Sequence, residues 1–207
     1  MKGKFITIEG GEGAGKSTMM DRLCGWLESH DHRVVRTREP GGTTLAEKIR
    51  AILLDDRHGE LSSQSELLLV FAARAQHLEQ LIRPALARGD TVLCDRFTDA
   101  SWAYQGGGRQ MPDEWIATLE QMVHGDLQPD LTLLLDLPVE QGLKRASLRA
   151  EADRFEQESL RFFKRVRQAY LAHAKSNSRR FEIIDASGDP DQVWSQIESV
   201  LERRLGQ

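Results

Sequence analysis

Cysteine is scarce in this chain. Only Cys24 and Cys94 occur among 207 residues, with no CxxC spacing. A disulfide scaffold is excluded, and a reducing cytoplasm fits. Long apolar runs are missing too. The longest, residues 67–73, is far short of the roughly 20 residues that a spanning helix needs. Residues 1–9 lack the apolar stretch and cleavage site of a secretory signal. Positive charge is not in excess: 28 Lys and Arg face 32 Asp and Glu, a net of −4. Binding to nucleic acid through counterion release is therefore not expected, and neither is a membrane partner. The histidines at 30, 32, 58, 77, 124 and 173 show no zinc spacing and read as surface or packing groups; the four tryptophans form no stacking array.

What is present is an alternation of short apolar runs with helical patterns. Strands are expected at residues 4–9, 33–37, 91–95, 131–137 and 181–185. Helices are expected at 16–29, 43–55, 112–124, 139–149, 155–175 and 191–205. A long helical stretch is expected at 64–88, bent or ended by Pro84. The strands barely alternate in polarity, as in a parallel sheet covered on both faces. The pattern predicts an α/β fold with a five-stranded, mostly parallel sheet and helices on both faces. No linker stands out, so residues 1–207 read as one domain, with a charged insertion at about 142–155.

Residues 10–17, GGEGAGKS, match GxxxxGK[ST] between an expected strand and an expected helix. Glycines let several backbone N–H groups converge on one anion, and the following helix adds its positive end. The expected ATP-binding set is Gly10, Gly11, Glu12, Gly13, Ala14, Gly15, Lys16, Ser17 and Thr18. Lys16 serves the β- and γ-phosphates, and Ser17 offers a hydroxyl to Mg²⁺. Glu12 opposes a triphosphate unless a cation offsets it. There is no NKxD element to read guanine, since the single asparagine is Asn177, and no second-position lysine, since Gly11 stands there. A small P-loop kinase is the remaining common answer.

Asp95 and Arg96 follow an apolar strand, where ligands sit in doubly wound sheets. Asp95 is the candidate Mg²⁺ acid, with Asp136 as competitor; Arg96 is a candidate phosphate fork. Arg145 and Arg149 lie four apart on one helix face, beside Lys144 and Arg154, and suit an arginine-rich lid over the phosphates. A solvated basic face is the plain alternative. Phe71 and Arg74 are three apart, and Ser101 and Gln105 four apart. They suit one pocket with an aromatic face and a polar edge. Residues 185–190 suit either a loop under adenine or a helix cap.

These segments together resemble the bacterial thymidylate kinase family. The resemblance rests on FITIEGGEGAGKST, TREPGGT at 37–43, FAARAQH at 71–77, DRF at 95–97, SWAYQGGGR at 101–109, LDLPVE at 135–140 and DRFEQE at 153–158. It implies a fold like that of nucleoside monophosphate kinases. It also implies transfer of the γ-phosphoryl of ATP to dTMP with Mg²⁺, and a homodimer. It implies a pyrimidine in the pocket of Phe71, Arg74, Ser101 and Gln105, with stacking from Phe71, donation from Arg74 to O4, and a polar edge near N3. It places Glu39, Pro40 and Arg50 beside the acceptor's sugar and phosphate, Tyr104 against the ribose 2′ side, and Arg149 and Arg145 in the lid; Arg38 is a further phosphate candidate. Phe97 and Ala100 depart from the commoner residues. The alternatives are another small P-loop nucleotide or nucleoside kinase, and a nucleotide-sensing regulator.

Overall fold

The structure, a computed structural model, describes residues 3–55, 61–147, 154–155 and 157–205. Five parallel strands form one sheet: β1 (Phe5–Gly10), β2 (Val34–Arg38), β3 (Thr91–Asp95), β4 (Leu131–Asp136) and β5 (Phe181–Asp185). Their order is β2-β3-β1-β4-β5. Every neighbouring pair is parallel, and the pairings Arg38–Asp95 and Gly10–Leu135 align the carboxyl ends of the central strands. The three central strands are buried almost throughout because helices cover both faces, while the edge strands β2 and β5 are partly exposed.

Side chains alternate between those faces. Ile6, Ile8, Leu133 and Leu135 join α1 (Lys16–Ser29) and α9 (Pro190–Leu205) in one core cluster. Phe5, Val92 and Cys94 meet Leu78, Ile82 and Phe97 on the other face. There too Leu134 and Phe181 meet Phe162, Val166 and Tyr170 of α8 (Leu160–Ser176). Each such buried side chain contributes roughly 1.5–3 kcal/mol of transfer free energy.

Several boundaries differ from expectation, each for a local reason. α2 (Thr44–Leu54) and α3 (Ser63–His77) start where the hydroxyls of Thr43 and Ser62 accept from backbone N–H groups three residues on. Pro84 does not end the long helix. The chain runs from α3 through a wider π-helical turn, Leu78–Ile82, into α4 (Arg83–Ala87), with Pro84 in the first turn of α4, where no N–H is required. α8 starts at Leu160, later than expected, capped by the Ser159 hydroxyl. α6 (Asp113–Val123) and α7 (Val139–Ala146) follow their patterns over the described residues.

Residues 98–108 carried no helical expectation, yet they form α5 (Thr98–Ser101) and a second π-helical turn, Trp102–Gly108. Glycine makes this possible. A Cβ at Gly107 would run into the Cβ of Ala169, and one at Gly108 would lie 2.5 Å from the Phe162 ring. The turn therefore lies directly on α8.

Candidate active site

The phosphate loop joins β1 to α1. Gly13 and Gly15 take positive φ, 67° and 91°, which side chains disfavour. Gly15 is the N-cap of α1, and no side chain caps the first turn, so its N–H groups are available to an anion. The Lys16 ammonium donates to the carbonyls of Gly10 and Gly11 at 3.1 and 3.0 Å. Burial, followed by the neighbouring Arg96, lowers its pKa. The loop also packs on α7 without intervening side chains. A Cβ on Gly13 would overlap the Gly142 carbonyl, and one on Gly142 would overlap that of Glu12.

A cavity of about 370 Å³ opens in front of this loop. Gly13 to Ser17 form one wall and Asp95 and Arg96 another, with Glu39, Pro40, Arg50, Arg74, Ser101, Tyr104 and Gln105 opposite. Most of the expected site residues thus meet in one place. Gly10, Gly11 and Thr18 belong to the loop and its helix but do not line the cavity.

The cation that offsets Glu12 is Arg96. Its Nη2 donates to Glu12 Oε1 at 2.8 Å, and Tyr104 Oη donates to the same oxygen at 2.6 Å. Burial pushes the Glu12 carboxyl upward, but Arg96, Lys16 and the Tyr104 hydrogen bond outweigh it and hold the pKa at about 2. Arg96 also lies over the Tyr104 ring at 4.7 Å and donates to Tyr170 Oη at 3.3 Å. Its backbone is left-handed, φ 70°. Glu9, fully buried, accepts from Phe97 N–H and Tyr170 Oη, both at 2.7 Å, and so braces Arg96 from behind. Burial, then repulsion from Asp99, raises the Glu9 pKa to about 8.

Asp95 closes β3, and its Oδ1 is buried with no partner among the described residues. Ser17 lines the same cavity. An orphaned carboxylate oxygen and a hydroxyl suit a hard, oxygen-seeking cation held chiefly by phosphates and water. Among the described residues no group of three His, Cys, Asp or Glu could hold a metal without such help. Asp136, the competitor, is gripped by Arg167 through two hydrogen bonds at 2.7 and 2.8 Å.

On the acceptor side, Arg74 is buried and donates to Glu39 Oε2 (2.7 Å), Ser101 Oγ (3.1 Å) and the Phe97 carbonyl (3.2 Å). Burial works against the Glu39 carboxylate, but Arg74 and His77 overcome it and lower its pKa. Arg50 donates to the Pro40 carbonyl at 2.9 Å. Phe71 does not line the cavity. Its ring lies beneath Arg74, 4.5 Å from the guanidinium, and packs with Leu67, Met111 and Ile116. Val70 is the residue of that helix turn on the cavity wall. Arg38 pairs with Glu47 outside the cavity.

Two functional neighbours escaped the sequence reading. His77, fully buried, bridges Glu39 Oε1 (3.0 Å) and Thr37 Oγ1 (2.7 Å). Glu66, fully buried, accepts from Gln105, Arg109 and Arg154. A charged residue at the head of the apolar run 67–73 was the one available signal for Glu66.

Arg145 lies away from the cavity. It donates to the carbonyls of Ala186, Ser187 and Gly188, so it meets the loop after β5. In that loop Asp189 Oδ1 accepts from the N–H groups of Asp191 and Gln192, as a helix cap does. Arg149 lies outside the described residues.

The sequence profile of thymidylate kinases matches residues 8–197. The chain belongs to the thymidylate kinase family. As a member it is an enzyme that phosphorylates dTMP to dTDP, which sets aside the sensing-regulator alternative. It is 59% identical over 201 residues to a thymidylate kinase of Pseudomonas putida, covering 97% of this chain and 96% of that one. It is 56% identical over 205 residues to one from Pseudomonas syringae, covering 99% and 98%. The crystal structure of thymidylate kinase from Ehrlichia chaffeensis superposes with a TM-score of 0.79 at 33% identity, covering 98% of this chain and 99% of the other. The family uses ATP, and no helix among the described residues is long and apolar enough to cross a membrane.

Proposed function

We propose how this chain divides the labour of transferring the γ-phosphoryl of ATP to dTMP. The acceptor is a phosphate monoester, already a nucleophile near neutral pH, so no general base is needed. The barrier is repulsion and alignment between two polyanions. Lys16 and the loop N–H groups hold the donor phosphates, and Arg96 and Arg50 receive the acceptor phosphate. Ser17 and Asp95 hold Mg²⁺, which supplies positive charge to the donor oxygens when bound. Arg149, with Arg145 nearer the adenine end, completes an arginine lid over residues 142–155 of a single kinase domain. Arg74, Ser101 and Gln105 read the base, Glu39 and Pro40 line the sugar side, Phe71 backs Arg74, and Tyr104 guards the 2′ position.

The observation that carries this reading is convergence. Uncapped loop amides, Asp95 with its unpaired oxygen, and a buried, carboxylate-held Arg74 meet at the same cavity of about 370 Å³. A crystal grown with dTMP and an unreactive ATP analogue tests it. We expect the pyrimidine beside α3 and its phosphate on Arg96; a pyrimidine elsewhere overturns the assignment. A coupled assay over dTMP, dUMP, dCMP, AMP, GMP and thymidine should give ADP fastest with dTMP.

The enzyme also acts as a homodimer in the cytoplasm. The dimer is supported by adjoining helices α2, α3 and α6, which expose Leu45, Ile52, Leu68, Trp115 and Met122. Sedimentation of a Leu68→Glu variant as a monomer supports this face; an unchanged dimer places the interface elsewhere.

A further inference from the structure

Behind two of the base-facing polar groups, Arg74 and Gln105, stands a buried carboxylate. Glu39 holds Arg74, as described. Glu66, at the start of α3, stands behind Gln105. Its Oε1 accepts from Gln105 Nε2 at 2.9 Å and from Arg109 Nε at 3.2 Å. Its Oε2 accepts from Arg109 Nη2 at 3.0 Å and Arg154 Nη2 at 2.6 Å. The residue is fully buried.

A carboxylate paired with two guanidinium groups can only accept. The Gln105 amide, which is donor at one end and acceptor at the other, must therefore turn its NH₂ toward Glu66. Its carbonyl is left for the cavity that Gln105 lines. Among the described residues no protein donor meets that carbonyl. Pyrimidines differ at N3: thymine and uracil carry a hydrogen there, whereas cytosine carries a lone pair. A fixed carbonyl accepts from the former and repels the latter, which is discrimination by mismatch as well as by attraction.

We propose that Glu66 is a positioning residue for base selection: by accepting from Gln105, it locks the amide with its carbonyl toward N3 of the acceptor base. This rests on the reading that Gln105 faces the base. Without the lock the amide can turn over and offer NH₂, which suits cytosine. In a Glu66→Gln variant the new carbonyl is drawn to the Oε2 position, where two arginine N–H groups point. The new NH₂ then faces Gln105 and favours the turned-over amide.

The test compares kcat/KM for dTMP and dCMP at saturating ATP in the wild type, Glu66→Gln, Gln105→Ala and the double variant. Where dCMP turnover is undetectable, its inhibition constant replaces kcat/KM. Glu66→Gln should lower the dTMP-to-dCMP preference at least about tenfold, with KM for ATP unchanged. In the Gln105→Ala background the same change should have no further effect on the preference. A purely structural Glu66 would instead lower both nucleotides together. If Gln105→Ala erodes the preference and Glu66→Gln leaves it intact, the positioning role is overturned and the base-site reading stands. If Gln105→Ala itself leaves the preference intact, that reading fails. Should Glu66→Gln not fold, Glu66→Asp keeps the charge for both arginines while withdrawing from Gln105. It carries the same ratio test, and an unchanged preference there overturns the proposal.

Discussion

Arg96 at the end of β3 reaches back to Glu12 in the phosphate loop, Nη2 to Oε1, across 2.8 Å. Both residues line the cavity in front of the phosphate loop. Glu12 therefore tethers the guanidinium rather than standing as an uncompensated anion. A left-handed backbone at a residue other than glycine costs about 1–2 kcal/mol. Here Glu9 anchors the next N–H, and Tyr170 the side chain.

This pair carries a pH signature. The Glu12 carboxyl has its pKa lowered from 4.5 to about 2 on folding. The unfolded chain thus takes up that proton first as pH falls. The stabilisation is complete above pH 4.5 and is lost as pH falls through about 2, amounting to about 3 kcal/mol. Urea unfolding of wild type and Glu12→Gln from pH 6 to about 2 should show a stability difference that shrinks across that window. A constant difference would refute the assignment.

Lys16→Ala removes the one ammonium from the phosphate loop while keeping its glycines. We expect kcat to fall on the order of 10²–10³-fold, with dTMP affinity little changed. Steady-state kinetics with both substrates varied checks this, and a loss confined to dTMP binding would contradict it.

Arg74→Ala leaves the buried Glu39 with His77 alone and withdraws the donor proposed for O4. The expected loss in kcat/KM for dTMP is about 10- to 100-fold, with ATP affinity preserved. Isothermal titration with each nucleotide separates the two; equal losses would remove Arg74 from base reading.

Gly107→Ala pushes a methyl group into Ala169 of α8, where no flexible chain can yield. Overpacking of this kind costs about 1–3 kcal/mol. A lowered urea midpoint with unchanged slope is the expected readout; unchanged stability would mean that the π-helical turn can lift from α8.

Much of this was legible because a local reason wrote it into neighbouring residues. The phosphate loop needs glycines and a lysine at fixed spacing, and the strands need apolar residues on both faces. Asp95 and Arg96 were legible from their place after such a strand. What stayed hidden was written across distance. The cation for Glu12 is Arg96, 84 residues along the chain, and no local pattern ties the two. His77 read as packing because its partners, Thr37 and Glu39, lie some 40 residues away. Phe71 fitted a stacking role by spacing alone, whereas the rotation of α3 points it at the core. The π-helical turn at 102–108 was illegible because three successive glycines signal a loop, and only the proximity of α8 explains them.

The bare contact between Gly13 and Gly142 has a consequence for how the sequence can drift. Two backbone strips far apart in the chain lie against each other with nothing between them, so neither position can enlarge unless the other retreats. A defect in the phosphate loop can then arise from a change 129 residues away in the chain, on a helix that meets the loop through its backbone. α7 is, in effect, geared to the phosphate loop.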